Sequence, residues 1–171
     1  MQHRAQIDEL TLAEGKTKDA RFTRLLQSAY STQSDCSYQD EKTGDTALHI
    51  TLKNHDQTAV NFLTEIKNNG LDVRDKEGRT PLHLAVLQEN EALVKKLLDK
   101  GASPDTKDAK DDTPIISALK IKNANIRKEI AKAILEKVKK WHLGKEKYIN
   151  HIPKKKVYET ALSLATWHNK E

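Results

Sequence analysis

The chain has 171 residues, 36% hydrophobic and 32% charged, with a net charge of +5. That balance is too polar for a thick globular core and suits an elongated stack of small units, each burying only the faces that meet its neighbours. There is no apolar run of about 18 residues and no apolar signal region between Met1 and Lys18, so neither a membrane span nor a secretory signal is read and a cytoplasmic location is expected.

Cys36 is the single cysteine and offers no intramolecular disulfide, in keeping with a reducing compartment. Charge is unevenly spread: residues 120–171 hold 14 Lys or Arg against 5 acids, leaving 16 against 20 in the rest. Lysine outnumbers arginine 24 to 6, which disfavours base reading by bidentate arginine.

In chain order, residues 1–17 form a polar, weakly patterned lead-in. Phe22, Leu25, Leu26 and Ala29 then fall at i, i+3, i+4 and i+7, so residues 18–40 are expected to hold a helix that shields the open end of a stack, followed by a connector around Cys36. Four echoes come next, Thr46-Ala47-Leu48-His49-Ile50-Thr51, Thr80-Pro81-Leu82-His83-Leu84-Ala85, Thr113-Pro114-Ile115-Ile116-Ser117-Ala118 and Thr160-Ala161-Leu162-Ser163-Leu164-Ala165, at intervals of 34, 33 and 47 residues. A period of about 33 marks one stacked supersecondary unit. Units are therefore expected at 41–74, 75–107 and 108–140, with an insertion at 141–154 and a partial unit at 155–171.

The second unit is the fullest. Gly78 supplies a left-handed turn residue, Thr80 can cap a helix through its hydroxyl, and Pro81 suits the first helical position. Leu82, Leu84 and Ala85 begin a short helix. Leu93, Val94, Leu97 and Leu98 give a second helix its buried stripe, which Gly101 ends. In the third unit Ile126, Ile130, Ile134 and Leu135 predict an unusually long second helix. The partial unit lacks a second helix to cover its first, which predicts either a longer natural chain or a degenerate cap.

With these motifs the chain resembles the ankyrin-repeat family, nearly throughout Asp75–Asp105 and closely over 41–74, where Gly44, Thr46, Leu48, His49, Leu63 and Asn68 take the turn, helix and C-cap positions. Over 108–140 Asp111 stands in place of the turn glycine and Ile116 in place of the histidine. The resemblance implies an all-α solenoid of helix-turn-helix units with outward hairpin loops. It also implies that His49 and His83 hydrogen-bond backbone between neighbouring turns, and that a partner protein meets the loop tips and the exposed side of each first helix, the concave face. Carried over by position, that surface comprises Lys42, Thr43, Asp45, Lys53 and Asn54, then Lys76, Glu77, Arg79, Leu87 and Gln88, then Ala109, Lys110, Asp112, Lys120 and Ile121, then Trp167 and His168. Leu87, Ile121 and Trp167 are the expected apolar anchors.

Other constellations have plainer readings. His142 and His151 lack a carboxylate or cysteine at ligand spacing, and the aspartates 105, 108, 111 and 112 lack the glycine and terminal glutamate of a calcium loop. No nucleophile elbow, P-loop or dinucleotide fingerprint occurs. No catalytic residue, metal or cofactor is expected, and the chain is expected to be a monomeric protein-interaction module. Three rival readings stand beside it: the targeting region of a larger protein such as an intracellular-bacterial effector, a relative of the ankyrin inhibitors of the NF-kappa-B class, and a binder of anionic lipid or nucleic acid. The last would use the lysine-rich stretch 137–156, in which Trp141 and Tyr148 are interleaved with lysines.

Overall fold

The computed structural model describes residues 37–65 and 70–145, the last five as backbone alone. These residues hold six helices and no strand: α1 Ala47–Lys53, α2 Gln57–Glu65, α3 Pro81–Leu87, α4 Glu91–Asp99, α5 Pro114–Leu119 and α6 Ala124–Lys145. The capping helix expected within 18–40 lies outside the described residues, and of the connector after it only positions from 37 onward are described. Asn68 and the partial unit at 155–171 lie outside them too.

Each unit is a helix pair, α1 with α2, α3 with α4 and α5 with α6, and the first helices α1, α3 and α5 pack in one row. The second helices form the other row, with α4 packed on α6 and α2 tied to α4 by the Lys96 amine on Asn61 Oδ1 at 2.6 Å and by the Lys100–Glu65 ion pair. Leu48, Leu52, Leu63, Leu82, Leu97, Ile130 and Ile134 are fully buried between the rows. Within a pair the chain reverses through left-handed His55 (φ 56°) and Glu89 (φ 54°). An Asx side chain then starts the second helix: Asp56 Oδ1 accepts from Ala59 N, Asn90 Oδ1 from Leu93 N and Asn123 Oδ1 from Ile126 N. Helix α6 has 22 residues against 9 in α4 and does not stop at residue 140 but continues to Lys145.

The starts of α1 and α3 depend on the next unit in the stack. At Thr46 the backbone N–H donates to His49 Nδ1 at 3.3 Å, the hydroxyl lies 2.8 Å from the same nitrogen, and Nε2 lies 3.0 Å from the Arg79 carbonyl of the neighbouring unit. Thr80 and His83 repeat this, with Nε2 3.1 Å from the Asp112 carbonyl. A ring nitrogen that accepts a backbone N–H cannot carry a proton, so the network assigns both rings as neutral, with Nε2–H donating to the carbonyl. The threonine hydroxyl accepts from the His49 N–H at Thr46, at 3.4 Å, and the same reciprocal capping box joins Thr80 and His83. His49 and His83 are 0% and 1% exposed.

The hairpins between units interlock. Lys76 N donates to the Thr43 carbonyl at 3.1 Å and Ala109 N to the Glu77 carbonyl at 2.9 Å. Gly44 (φ 70°), Gly78 (φ 74°) and Asp111 (φ 62°) occupy the same left-handed corner. Glycine is needed for more than φ: a Cβ on Gly78 would lie 2.6 Å from Ala109 N, and one on Gly44 would lie 2.9 Å from Lys76 N. Each hairpin is also braced by an aspartate, since Asp40, Asp75 and Asp108 accept backbone N–H bonds from within their own loops.

Gly78→Ala should destabilise by roughly 2–3 kcal/mol in urea unfolding, about 1–2 for the left-handed backbone and about 1 for the displaced hairpin bond. Gly101→Ala, with φ 104° and nothing within 4 Å, should cost visibly less. Equal losses would overturn the close-approach account.

Burial holds both histidines below their ordinary value of 6.5, against the opposing pull of the backbone bonds to Arg79 and Asp112. A lowered basic group binds fewer protons when folded, so stability is full above pH 6.5 and falls as pH drops below it. Asp75 and Asp108 are lowered from 3.8 and lose their contribution only in far more acidic solution. Melting temperature should therefore decline between about pH 7 and pH 5; a flat profile there would refute the buried neutral histidines.

Candidate functional site

The hairpin tips and the solvent side of α1, α3 and α5 form a continuous surface, since both hairpins and first helices are joined unit to unit. Lys42, Lys76, Glu77 and Lys110 are exposed at the tips. Their backbones have structural work: the N–H groups of Lys42 and Lys110 bond Asp40 and Asp108, and Lys76 and Glu77 link hairpins. Thr43 is half-buried with its hydroxyl 3.0 Å from Asp40 Oδ1, and Asn54 is the half-buried C-cap of α1.

Most charge on this surface is already matched. Lys53 pairs with Asp45 and reaches Asp75 of the next unit at 3.5 Å. Arg79 pairs with Asp75 at 2.8 Å and Glu77 at 2.9 Å, and Lys120 pairs with Asp112. The Asp75 carboxylate is buried, which works against ionisation, yet the Arg79 hydrogen bonds hold it below its ordinary range.

Two expected surface residues are corrected by the structure. Asp45 is only 3% exposed, turned inward against Lys53, and so is not presented at the tip. Ile121 is 7% exposed and packs in the core. The reason is length: α5 ends at Leu119, making Lys120 the C-cap, whereas α3 runs to Leu87 and is capped by Gln88. One residue fewer of helix carries Ile121 past the solvent side and into the interior. Gln88 is half-buried, and its amide donates to the Leu52 carbonyl of the preceding first helix, a bond between units. Trp167 and His168 lie outside the described residues.

Leu87 remains as an exposed apolar residue on this surface, at 57%. Lys53 and Lys120 occupy the same station in the neighbouring units, and Asp45 and Asp112 occupy the station of Arg79. Thus the flanking units each close a lysine–aspartate pair from helix end to loop tip, and the middle unit replaces both members. An arginine facing a lysine would repel it, so Arg79 is accommodated where the helix-end lysine has become Leu87.

Two further exposed hydrophobics were not foreseen: Tyr38 at 50%, just before the first hairpin, and Ile116 at 40% on α5. The alignment of Ile116 with the buried histidines was the available signal. An open hollow of about 320 Å³ between the α4 C-terminus and α6 is lined by Gly101, Ala102, Pro104, Lys137 and Lys140. Among the described residues no three His, Cys, Asp or Glu side chains converge in a metal-binding group, and no helix is long and apolar enough to cross a membrane.

A family model described as ankyrin repeats in three copies matches residues 13–108, so the match takes in the segment before the first hairpin and stops as the third unit begins. The human SH3 and multiple ankyrin repeat domains protein 2 is 33% identical over 123 residues, covering 65% of this chain and 6% of that protein. The mouse palmitoyltransferase ZDHHC13 is 47% identical over 57 residues, 33% of this chain and 9% of that one. The chain thus spans less than a tenth of either relative. The crystal structure of the ankyrin repeat domain of Bcl-3, a member of the IkappaB protein family, superposes with a TM-score of 0.51 at 22% identity, over 65% of this chain and 45% of that one. Stacked helix pairs, interlocked hairpins and the matched family model lead to one conclusion: the chain belongs to the ankyrin-repeat family.

Proposed function

We propose that this chain is a protein-recognition module that engages its partner through the first-helix side and hairpin tips, with Leu87 as the apolar anchor. The observation that carries the reading is the exposed Leu87 at a station where both neighbours place an ion-paired lysine. An apolar side chain held at the middle of a rigid surface can be desolvated by a partner at little entropic cost, because the helix that presents it is already fixed at both ends. The charges of Lys53, Arg79 and Lys120 on the helix side are already matched, so affinity at Leu87 rests on shape and apolar contact more than on long-range attraction. Ankyrin repeats in general serve protein–protein interaction, which agrees with this reading.

Leu87→Asp should weaken capture of the partner from cell extract by at least about tenfold while thermal stability changes by less than about 0.5 kcal/mol. The captured partner should also persist as salt rises through the physiological range. Unchanged capture by Leu87→Asp would refute the anchor. The likeness to the Bcl-3 domain extends to fold, and a Rel-type dimer is one candidate partner for a gel-shift competition.

One observation favours a second, separate reading on α6. Lys128, Lys132 and Lys139 are exposed and, at about 100° per residue, lie within about 40° of one another on that helix. Glu129 and Glu136 lie near enough to α4 to raise Lys95 electrostatically, although its Glu91 hydrogen bond is the larger cause. Such a stripe fits an anionic surface. If it binds one, vesicles of phosphatidylserine should co-sediment the full chain at low salt, and Lys132→Glu with Lys139→Glu should abolish this; no co-sedimentation at low salt removes the reading.

A further inference from the structure

The pairing that cancels charge along the helix side stops short of the hairpin tips. Lys42, Lys76 and Lys110, one from each successive hairpin, are exposed and make no ion pair among the described residues. Arg74 joins them: it is exposed, its guanidinium donates to the Gly78 carbonyl at 3.1 Å, and it meets no carboxylate among the described residues. The aspartates at the base of the hairpins do not answer this charge at the surface. Asp75 is buried and Asp40 and Asp108 are half-buried, their oxygens engaged by loop N–H groups or by Arg79. Of the exposed acids at the tips, Glu77 is held by Arg79 and Asp111 by Lys107, which leaves Glu41. The tips are also fixed relative to one another, because Lys76 N bonds the Thr43 carbonyl and Ala109 N the Glu77 carbonyl.

We propose that this row of tips receives an extended acidic segment of the partner protein, whose carboxylates face Lys42, Lys76 and Lys110 in turn. The inference rests on the protein-recognition reading, which places a partner on this surface, and names the chemistry that the tips select. Packed helices stand about 8–10 Å apart, so lysines carried by successive units recur at about that interval. An extended chain rises about 3.3 Å per residue, so a carboxylate at every third position keeps step with the row. A nucleic-acid strand fits less well, since it carries a charge at every nucleotide and would meet Glu41, Glu77 and Asp111 as well as the lysines. Rim charges of this kind act on the rate of encounter, whereas a desolvated anchor such as Leu87 acts on the rate of release. A complex once formed therefore withstands salt, while its formation is slowed by it.

The probe is a short synthetic peptide with glutamate at every third position and serine between, titrated into the full isotope-labelled chain and followed by NMR. At low salt the amide resonances of Lys42, Lys76 and Lys110 should shift saturably, and the affinity should fall at least about fivefold at physiological ionic strength. Lys42→Gln, Lys76→Gln and Lys110→Gln together keep every hairpin N–H bond and should weaken the peptide at least about fivefold at an unchanged melting temperature. Leu87→Asp should leave the peptide affinity as it is, so failure of the apolar anchor and failure of the acidic segment are read separately. A second peptide holding the same glutamates in one run should bind more weakly to the native chain, a comparison that needs no variant to fold. The proposal is overturned by tips that do not shift, by shifts equally large at Lys128, Lys132 and Lys139 of α6, by binding that survives the triple variant, or by equal affinity for the two peptides. Tighter binding of single-stranded oligothymidylate, lost in the triple variant, would overturn it too and give the row to nucleic acid.

Discussion

The structure depends on how the buried start of each first helix is satisfied. A helix N-terminus leaves backbone N–H groups without partners, and burying one of them unpaired costs on the order of 1–3 kcal/mol. Here Thr46 and Thr80 sit fully buried, and a single imidazole serves the helix start on one side and a carbonyl of the next unit on the other. Starting a helix and stacking the next unit thereby become one event. The hairpin that offers the carbonyl must then sit at a fixed distance, which brings Ala109 N so close to Gly78 that no side chain fits between them. Neutral histidine, left-handed glycine and hairpin interlock are consequences of one constraint.

That constraint consumes the inward residues and leaves function to the outward ones. On the outward side charge is largely cancelled pair by pair, with Lys53 on Asp45 and Asp75, Arg79 on Asp75 and Glu77, and Lys120 on Asp112. Surface pairs of this sort add little to stability, typically below about 1 kcal/mol each. They do cancel charge along the helix side, so the residue that departs from the pairing rule there, Leu87, carries more discriminating information than the paired charges around it.

Much of the scaffold was legible because its signals are local. The threonine-led echoes located α1, α3 and α5, the stripe Leu93, Val94, Leu97 and Leu98 located α4, and positive φ at Gly44, Gly78 and Asp111 reflects their shared place in the turn. The binding surface was less legible because its determinants are not local. Ile121 aligned with Gln88 by position, but α5 is one residue shorter than α3, and that single residue turns a surface position into a core one. Asp45 read as a loop-tip charge because its partner Lys53 lies eight residues away at the far end of a helix, beyond any spacing rule for neighbouring side chains. Gln88 bonds a carbonyl 36 residues back, a contact that exists only once the units have stacked.

The substitutions in the third unit make sense together. An isoleucine at the histidine position would leave a buried carbonyl of a following unit without its donor, and an aspartate at the glycine corner would collide with a following hairpin, so either change alone would damage a regular joint. Both occur at one station of the third unit, so the departures from the repeat pattern are concentrated there. A further unit could not join this station by the imidazole bond and the close hairpin approach of the first two joints. Helix α6 departs from the pattern as well, with 22 residues against nine in the α4 it packs on.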